Sequence, residues 1–562
     1  MLKKSLLIPI LSSFILLYPT TSCADNLQSQ NTTSHHQDTL RGSITPERAW
    51  WDLLHYHLSV AVNIKNKTIN GSNVVTYKVL TPAKRLQIDL QSPMQLSKVE
   101  QNGKTLTVEQ DGNAYLISTI APQPIGSTQS LTLYFSGKPQ IAKHAPWDGG
   151  ITWAKDENGN DFIASSNQGI GASIWWPNKD HGYDEPDNGV LISVTVPEQL
   201  MDVSNGRLIK TEHNKKQHTK TYHWQVTQPI NNYSVNINIG DYVHFDQKFY
   251  GKAYQGENGQ LDMDYYVLRD NLAKAQQQFI DAKRTLEALE YWFGPYPFYQ
   301  DSYKLVQVPY LGMEHQSSVT YGNKFKNGYL GRDRSQTGGG MLFDFIIAHE
   351  SGHEWFANNI TAKDLADLWI HEAFTTYSES LFLEYHYDQA TAFKYIRGQR
   401  LNIKNTAAII GQYNVNKEGS GDMYDKGSNM LHTIRQIINN DKKWRDILRG
   451  LNKTFYHQTV TSAQIEHYIS AQANIDLSKV FDQYLRDVRI PSFEYFINDT
   501  TFKYRWGNVI ENFDMPLTVS LNDKRTELKP TTKWQTIKLN SANSKLVVDA
   551  NYYVSSLNLL GE

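Results

Sequence analysis

The sequence predicts a multidomain α+β protein, with an N-terminal β domain, an α-rich central domain and a small C-terminal β domain. Segments with alternating apolar residues run to about residue 245, apolar residues at helical spacing dominate to about residue 491, and alternation then returns. The chain has 562 residues, which is more than one hydrophobic core can organise. We therefore expect three folded domains, at residues 46–245, 246–491 and 492–562.

The N-terminal β domain is predicted from side chains that alternate between apolar and polar. Leu58, Val60 and Val62 alternate with polar or smaller neighbours, which is the pattern of a half-buried strand. Further segments repeat it at residues 75–79, 86–90, 131–135, 190–196 and 235–239. Asn102-Gly103 indicates a hairpin turn between two strands.

The central domain is predicted from apolar residues spaced to lie on one helix face. These patterns predict helices at residues 269–293, 341–356, 368–385, 430–438, 444–456, 462–472 and 480–485. Alternation returns after residue 491 and predicts strands at residues 502–506, 517–521, 534–539 and 546–548.

The N-terminus has the pattern of an export signal. Lys3 and Lys4 precede an apolar run at residues 6–17, and small residues follow it. Cleavage after Ala24 would give an ordinary signal peptide, residues 1–24, whereas cleavage before Cys23 would leave a cysteine for lipid attachment. Both alternatives predict export from the cytoplasm, to the periplasm or to a membrane-anchored lipoprotein if the source is bacterial. The polar residues 25–45 are expected to form a flexible linker.

The net charge gives no support for nucleic acid as a partner. The formal net charge is −2, so there is no electrostatic basis for binding nucleic acid. Contact with a membrane is expected only through a lipid at Cys23. Cys23 is the only cysteine, so no intramolecular disulfide can form. The sequence leaves the oligomeric state open.

The motif His349-Glu350-Ser351-Gly352-His353 carries the first chemical signal. Residues four apart lie one above the other on a helix, so both imidazoles can reach one metal ion. Glu350 is close enough to act on a metal-bound water without being a ligand. A charged, solvated helix face is the alternative, but this segment is strongly apolar, and buried polar groups need partners.

Glu372 on the next predicted helix supplies a third ligand. Two histidines and a glutamate leave one zinc position open for water, which is the arrangement of catalytic sites. Imidazole ligands favour zinc over magnesium. We therefore expect one Zn²⁺ per chain, bound by His349, His353 and Glu372.

The segment 349–379, HESGHEWFANNITAKDLADLWIHEAFTTYSE, resembles the zinc signature of the aminopeptidase N family, which includes leukotriene hydrolase. That family places eighteen residues between the HExxH motif and the glutamate ligand, and the same spacing separates His353 from Glu372. The family usually has Asn-Glu-Gly-Phe around this ligand, where this chain has His371-Glu372-Ala373-Phe374.

Three further segments resemble motifs of the same family. Gly312-Met313-Glu314-His315 is similar to the exopeptidase motif Gly-x-Met-Glu-Asn, whose glutamate binds the substrate's α-amino group; Leu311 and His315 depart from it. Tyr424 lies in a segment similar to Tyr-x-Lys-Gly, whose tyrosine stabilises the oxyanion. Gln168 resembles the substrate-binding Gln or Glu that the family's β domain contributes.

The resemblance implies a β-saddle domain, a thermolysin-like catalytic domain and a small β domain. It also implies an aminopeptidase that acts on peptides with a free N-terminus, with Glu350 as general base. Three alternatives stay open: an endopeptidase with the same zinc site, a hydrolase for a non-peptide substrate, and a zinc-stabilised peptide-binding protein without catalysis.

Overall fold

The structure, a computed structural model, describes residues 36–251, 259–541 and 544–560. The predicted signal peptide, the Cys23 alternatives and the first part of the predicted linker lie outside these residues. None of the described helices is both long enough and apolar enough to span a bilayer.

The N-terminal domain is built on a large mixed sheet. Eight strands follow one another in the order Arg207–Asn214, Thr219–Val226, Val190–Pro197, Trp51–Asn63, Thr68–Val79, Thr128–Gly137, Gln95–Gln101 and Lys104–Thr105. The longest pair is antiparallel, with Val60 opposite Gly71. Gly71 is required at this position, because a Cβ there would lie 2.1 Å from the Ser59 carbonyl oxygen.

Two smaller sheets complete the N-terminal domain. One has four strands, in the order Met201–Val203, Asn238–Gly240, Asp161–Ser166 and Gly150–Lys155, and the other has three, Arg85–Asp89, Ala114–Ser118 and Thr107–Asp111. One apolar core joins the three sheets and includes the fully buried rings of Trp175 and Trp176. The strand Asp161–Ser166 ends just before Gln168, whose side chain reaches Glu314 of the central domain.

The central domain begins with a sheet whose first strand, Tyr242–Tyr250, crosses the expected boundary at residue 245. Its strands run Tyr242–Tyr250, Gln260–Leu268, Tyr303–Gln307, Val319–Tyr321 and Gly312–Met313. The helices that follow are Leu272–Gln278, Ile280–Phe293, Phe345–Gly352, Trp369–His386, Gln389–Gly398, Asp425–Ile438, Asp441–Thr454, Ser462–Ala473 and Ser478–Leu485. A parallel pair, Ile360–Ala362 and Gln458–Val460, links two parts of this domain.

Several helix boundaries differ from the sequence prediction. The helix expected at residues 341–356 is Phe345–Gly352, because the Asp344 side chain caps its first turn by accepting from the N–H groups of Ile346 and Ile347. The helix expected at residues 269–293 is interrupted at Phe279.

The C-terminal region consists of two small sheets. Their strand orders are Gln535–Lys538, Thr501–Gly507, Ser492–Asn498, Ser555–Asn558 and Lys524–Leu528, Leu517–Leu521, Leu546–Val548. Its buried aromatic residues join the core of the central domain. The observed order is therefore β, α-rich, β, which confirms the predicted fold class.

The segment expected to be a flexible linker to residue 45 contains a helix, His36–Gly42. Buried Arg48 holds this helix by donating from Nη1 to the carbonyl oxygens of Leu40, Arg41 and Ser43. Residues 36–45 are therefore packed against the N-terminal domain, and the linker expectation is corrected for them.

Candidate active site

The HExxH motif lies on the helix Phe345–Gly352, as the sequence predicted. The rings of His349 and His353 are 5.1 Å apart between centroids. Both side chains are buried, as is Glu350 between them in sequence. Gly352 permits close contact with the next helix, because a Cβ there would lie 2.7 Å from Ser378 Oγ.

Glu372 reaches the two histidines from the helix Trp369–His386. Its Oε2 atom lies 3.7 Å from His349 Nε2 and 3.4 Å from His353 Nε2. One ligand atom from each of the three residues lies within 4.8 Å of the others. The structure therefore brings together the three residues that the sequence assigned to zinc.

The outer nitrogen of each histidine already has a partner. His349 Nδ1 lies 2.8 Å from Glu379 Oε1, and His353 Nδ1 lies 3.0 Å from the Phe356 carbonyl oxygen. These contacts fix the ring orientations and leave both Nε2 atoms facing Glu372, as in many metal sites. Glu379 received no role in the sequence analysis, although it lies two helical turns after Glu372 on the same face.

The residues present fit a divalent cation. Glu372 Oε2 is buried and has no hydrogen-bond partner among the described residues. Burial opposes a charge on His349, but the neighbouring carboxylates of Glu372 and Glu379 outweigh it and raise its pKa to about 10. The buried carboxylates of Glu372 and Glu379 therefore place negative charge close to His349 and His353, whose Nε2 atoms are ligands suited to zinc.

Glu350 lies beside Glu314 at the edge of this cluster. Oxygen atoms of the two carboxylates lie within 4.8 Å of each other and of a His353 nitrogen. Burial raises the pKa of Glu350 to about 7, with His349 opposing the shift and Glu314 adding to it. Gly312 makes room for this arrangement, because a Cβ there would lie 3.1 Å from Glu350 Oε1 and 2.7 Å from Ile346 Cγ2.

Glu314 is held by two side chains of the N-terminal domain. Gln168 Nε2 donates to Glu314 Oε1 at 2.6 Å and lies 3.2 Å from Glu372 Oε1. Tyr233 donates its hydroxyl to Glu314 Oε1 at 3.1 Å. Gln168 was expected near the site, but Tyr233 was not, because its surrounding sequence carries no motif. The two domains therefore build this part of the site together.

The loop that carries Glu314 is fixed through its backbone. Asn358 Nδ2 donates to the Glu314 carbonyl oxygen at 2.8 Å, and Ser317 N–H donates to Glu354 Oε1 at 2.8 Å. Met313 is buried in a small cluster with Tyr310. His315, which departs from the family motif, is fully buried, and burial lowers its pKa to about 3. It is therefore neutral near physiological pH and adds no charge beside Glu314.

Tyr424 ends the loop before the helix Asp425–Ile438. Its ring stacks over His349 with centroids 6.2 Å apart. Desolvation and the carboxylates of Glu372, Glu418 and Glu314 raise its pKa well above the ordinary value. Asp425 forms an ion pair with Arg334 at 3.0 Å, which anchors the first turn of this helix.

Sequence profiles of two domains match this chain. The profile described as "Peptidase family M1 domain" matches residues 278–484, and "Peptidase M1 N-terminal domain" matches residues 53–234. Together they cover more than half of the chain. The chain belongs to peptidase family M1.

Relatives in the M1 family share low identity with this chain. It is 24% identical over 482 residues to aminopeptidase N of Lactobacillus helveticus, covering 79% of this chain and 52% of the relative. It is 22% identical to mouse endoplasmic reticulum aminopeptidase 1, covering 81% of this chain and 49% of the relative. The chain thus spans about half the length of these curated relatives.

Solved M1 structures share the fold. An M1 zinc metallopeptidase from Deinococcus radiodurans aligns with a TM-score of 0.66 at 19% identity, covering 80% of this chain and 97% of the other. A mutant of an M1 zinc metallopeptidase from the same organism, bound to Tyr-Ser-Ala, aligns with a TM-score of 0.63 at 19% identity, covering 78% of this chain and 95% of the other. At this identity the likeness establishes the fold.

Proposed function

We propose that the protein is a zinc aminopeptidase that removes N-terminal residues from peptides. The observation that carries this proposal is the buried carboxylate of Glu314, which lies next to the zinc-ligand set and is held by Gln168 and Tyr233. The aminopeptidase names of the M1 relatives support the same activity.

Glu314 suits the recognition of a substrate ammonium. Only 2% of its surface is exposed, and burial raises its pKa. A free α-amino group has an ordinary pKa of about 7.7–8.0 and is largely an ammonium at neutral pH. Binding that cation pairs the buried carboxylate, whereas an acetylated N-terminus would leave it desolvated and unpaired. The ion pair between Glu314 and the ammonium positions the substrate so that the peptide bond after its first residue is cleaved.

Zinc held by His349, His353 and Glu372 would supply Lewis-acid chemistry, polarising a carbonyl and making water more acidic. Glu350 accepts the proton of the attacking water and returns a proton to the leaving amine. The Tyr424 hydroxyl donates a hydrogen bond to the oxygen on which negative charge develops, and the raised pKa of Tyr424 keeps this hydroxyl protonated.

The proposal extends to metal content and location. Each chain binds one Zn²⁺, because three ligands meet at one point. The N-terminal residues 1–24 direct export, and Cys23 is the candidate residue for lipid attachment. Elemental analysis of the purified chain and mass spectrometry of its mature N-terminus test these two statements.

A substrate panel tests the activity. Aminoacyl-fluorophores and free peptides should be hydrolysed, N-acetylated copies of the same peptides should react far more slowly, and a zinc chelator should abolish turnover. Glu314→Gln should lower kcat/KM mainly for the free peptides, so the difference in kcat/KM between free and acetylated peptides should narrow. Cleavage of acetylated peptides at internal bonds at an equal rate would establish an endopeptidase instead.

A further inference from the structure

The strand Gly312–Met313 gives the direction in which a bound peptide crosses the site. It is an edge strand of its five-stranded sheet, and an extended peptide can lie along such an edge. Glu314, which holds the ammonium, directly follows this strand. Glu350, which acts at the cleaved bond, adjoins Gly312 near the start of the strand. The residues after the cleaved bond therefore continue toward Leu311.

The segment 322–344 begins beside Leu311. Gly322 N–H donates to the Leu311 carbonyl oxygen at 2.7 Å. Further along the segment, the carboxylate of Asp333 accepts from three backbone N–H groups, those of Ser335, Thr337 and Gly338. These hydrogen bonds fix the turn that carries the next side chain, Arg334.

Two aromatic rings connect Arg334 to the zinc-ligand residues. The guanidinium carbon lies 5.5 Å from the ring centroid of Phe345 and 5.8 Å from that of Tyr329. The Phe345 ring stacks in turn on His349, with centroids 5.3 Å apart. Burial raises the pKa of Tyr329, while Arg334 opposes the shift and Glu350 adds to it, so both charges act on this ring.

The Arg334 guanidinium has donors left for a ligand. Its Nη2 donates to Asp425 Oδ2 at 3.0 Å. Its Nε and Nη1 atoms have no hydrogen-bond partner among the described residues, and neither atom is fully buried. The side chain is 30% exposed. A guanidinium carries five N–H groups, so one ion pair leaves donors for a second carboxylate.

We propose that Arg334 binds the C-terminal carboxylate of short peptide substrates. The inference rests on the aminopeptidase function proposed above, because Glu314 must hold the other end of the same peptide. Two successive contacts of 5.3 and 5.5 Å separate His349 from the guanidinium. Each residue of an extended chain spans about 3.3–3.6 Å, so one to three residues after the cleaved bond bring the carboxylate to Arg334. The preferred substrates are therefore di- to tetrapeptides.

Matched peptides test this subsite in the zinc-loaded enzyme. Peptides of two, three and four alanines are compared with their C-terminal amides, which keep the ammonium but lose the terminal charge. At the best of these lengths, the free acid should exceed its amide by about tenfold or more in kcat/KM, the usual scale for a hydrogen bond to a charged group. An octapeptide with uncharged side chains extends beyond Arg334, so its acid and amide should react equally.

A pair of variants ties the acid preference to one guanidinium. Arg334→Gln keeps an N–H donor for Asp425 but removes the charge, so the acid/amide ratio of the short peptides should fall to about one. Arg332→Gln is the matched control, because Arg332 lies in the same segment and is exposed. Its acid/amide ratio should equal that of the wild type. The comparison of peptide lengths in the wild type tests the proposal even if Arg334→Gln does not fold.

The outcomes separate the subsite from the function on which it rests. Failure to hydrolyse an alanyl-fluorophore would overturn the aminopeptidase function, and with it the subsite. Turnover of the fluorophore with equal rates for short acids and short amides would overturn the subsite alone. An acid preference that persists at eight residues, or that Arg332→Gln reduces as much as Arg334→Gln does, would also overturn it, because general attraction by surface cations would then explain the preference.

Discussion

Glu379 offers a direct test of how the protein orients its zinc ligands. Glu379 Oε1 accepts from His349 Nδ1 at 2.8 Å, and its Oε2 accepts from Tyr395 Oη at 2.7 Å and from Gln399 Nε2 at 2.8 Å. The change Glu379→Gln removes the charge but keeps an oxygen for His349. Gln399 has an unpartnered Oε1 and can turn its amide to accept from the new NH₂ group, so the variant should fold.

The expected effect is a loss of zinc affinity. Glu379 is fully buried, and a hydrogen bond to a charged group contributes about 1.5–3 kcal/mol. The carboxylate also makes the His349 imidazole a more basic ligand, which the neutral amide does less well. We therefore expect the dissociation constant for zinc to rise about 10- to 100-fold, the usual effect of losing such a partner.

The assay is a competition titration of metal-free enzyme against a chromophoric zinc chelator at fixed pH. Glu384→Gln is the matched control, because Glu384 lies on the same helix but pairs with Arg435. It should bind zinc as the wild type does. An unchanged zinc affinity in Glu379→Gln would refute the argument that this carboxylate tunes His349.

Three further variants test the remaining parts of the site. Glu350→Gln should retain stoichiometric zinc by elemental analysis yet lose most turnover, since its carboxylate is needed for proton transfer and not for binding; near-native rates would exclude it as the base. Tyr424→Phe should lower kcat by about two to three orders of magnitude in steady-state assays, and an unchanged kcat would assign the oxyanion contact elsewhere. Gly427→Ala places a Cβ 2.7 Å from Ala373 Cβ, so the free energy of unfolding, measured by thermal denaturation, should fall by about 1–3 kcal/mol. Adding Ala373→Gly should restore part of this loss, and full stability of the single variant would contradict the packing.

Local patterns were sufficient for the order of the domains and for the clustering of His349, His353 and Glu372. His349 and His353 are one helical turn apart, so their common face follows from helix geometry alone. Helix ends were less well predicted: Asp344 starts the HExxH helix later than the apolar pattern suggests, because capping hydrogen bonds and not hydrophobicity determine the first turn. The helix His36–Gly42 was not expected, because its stability depends on hydrogen bonds that its carbonyl groups accept from the buried Arg48 guanidinium and not on an apolar pattern.

The sequence by itself therefore determined the α+β class from the order of its periodic patterns. It also determined the HExxH helix and the closeness of Glu372 to it, because these depend on spacing within two helices. Only the tertiary structure brought Tyr233 to Glu314, which lies 81 residues away in the sequence. Such contacts form where two domains pack, and the chemistry of a buried polar atom depends on which partners the fold brings within hydrogen-bond distance. The periodicity of a local segment does not determine which distant residues become the partners of its buried polar atoms.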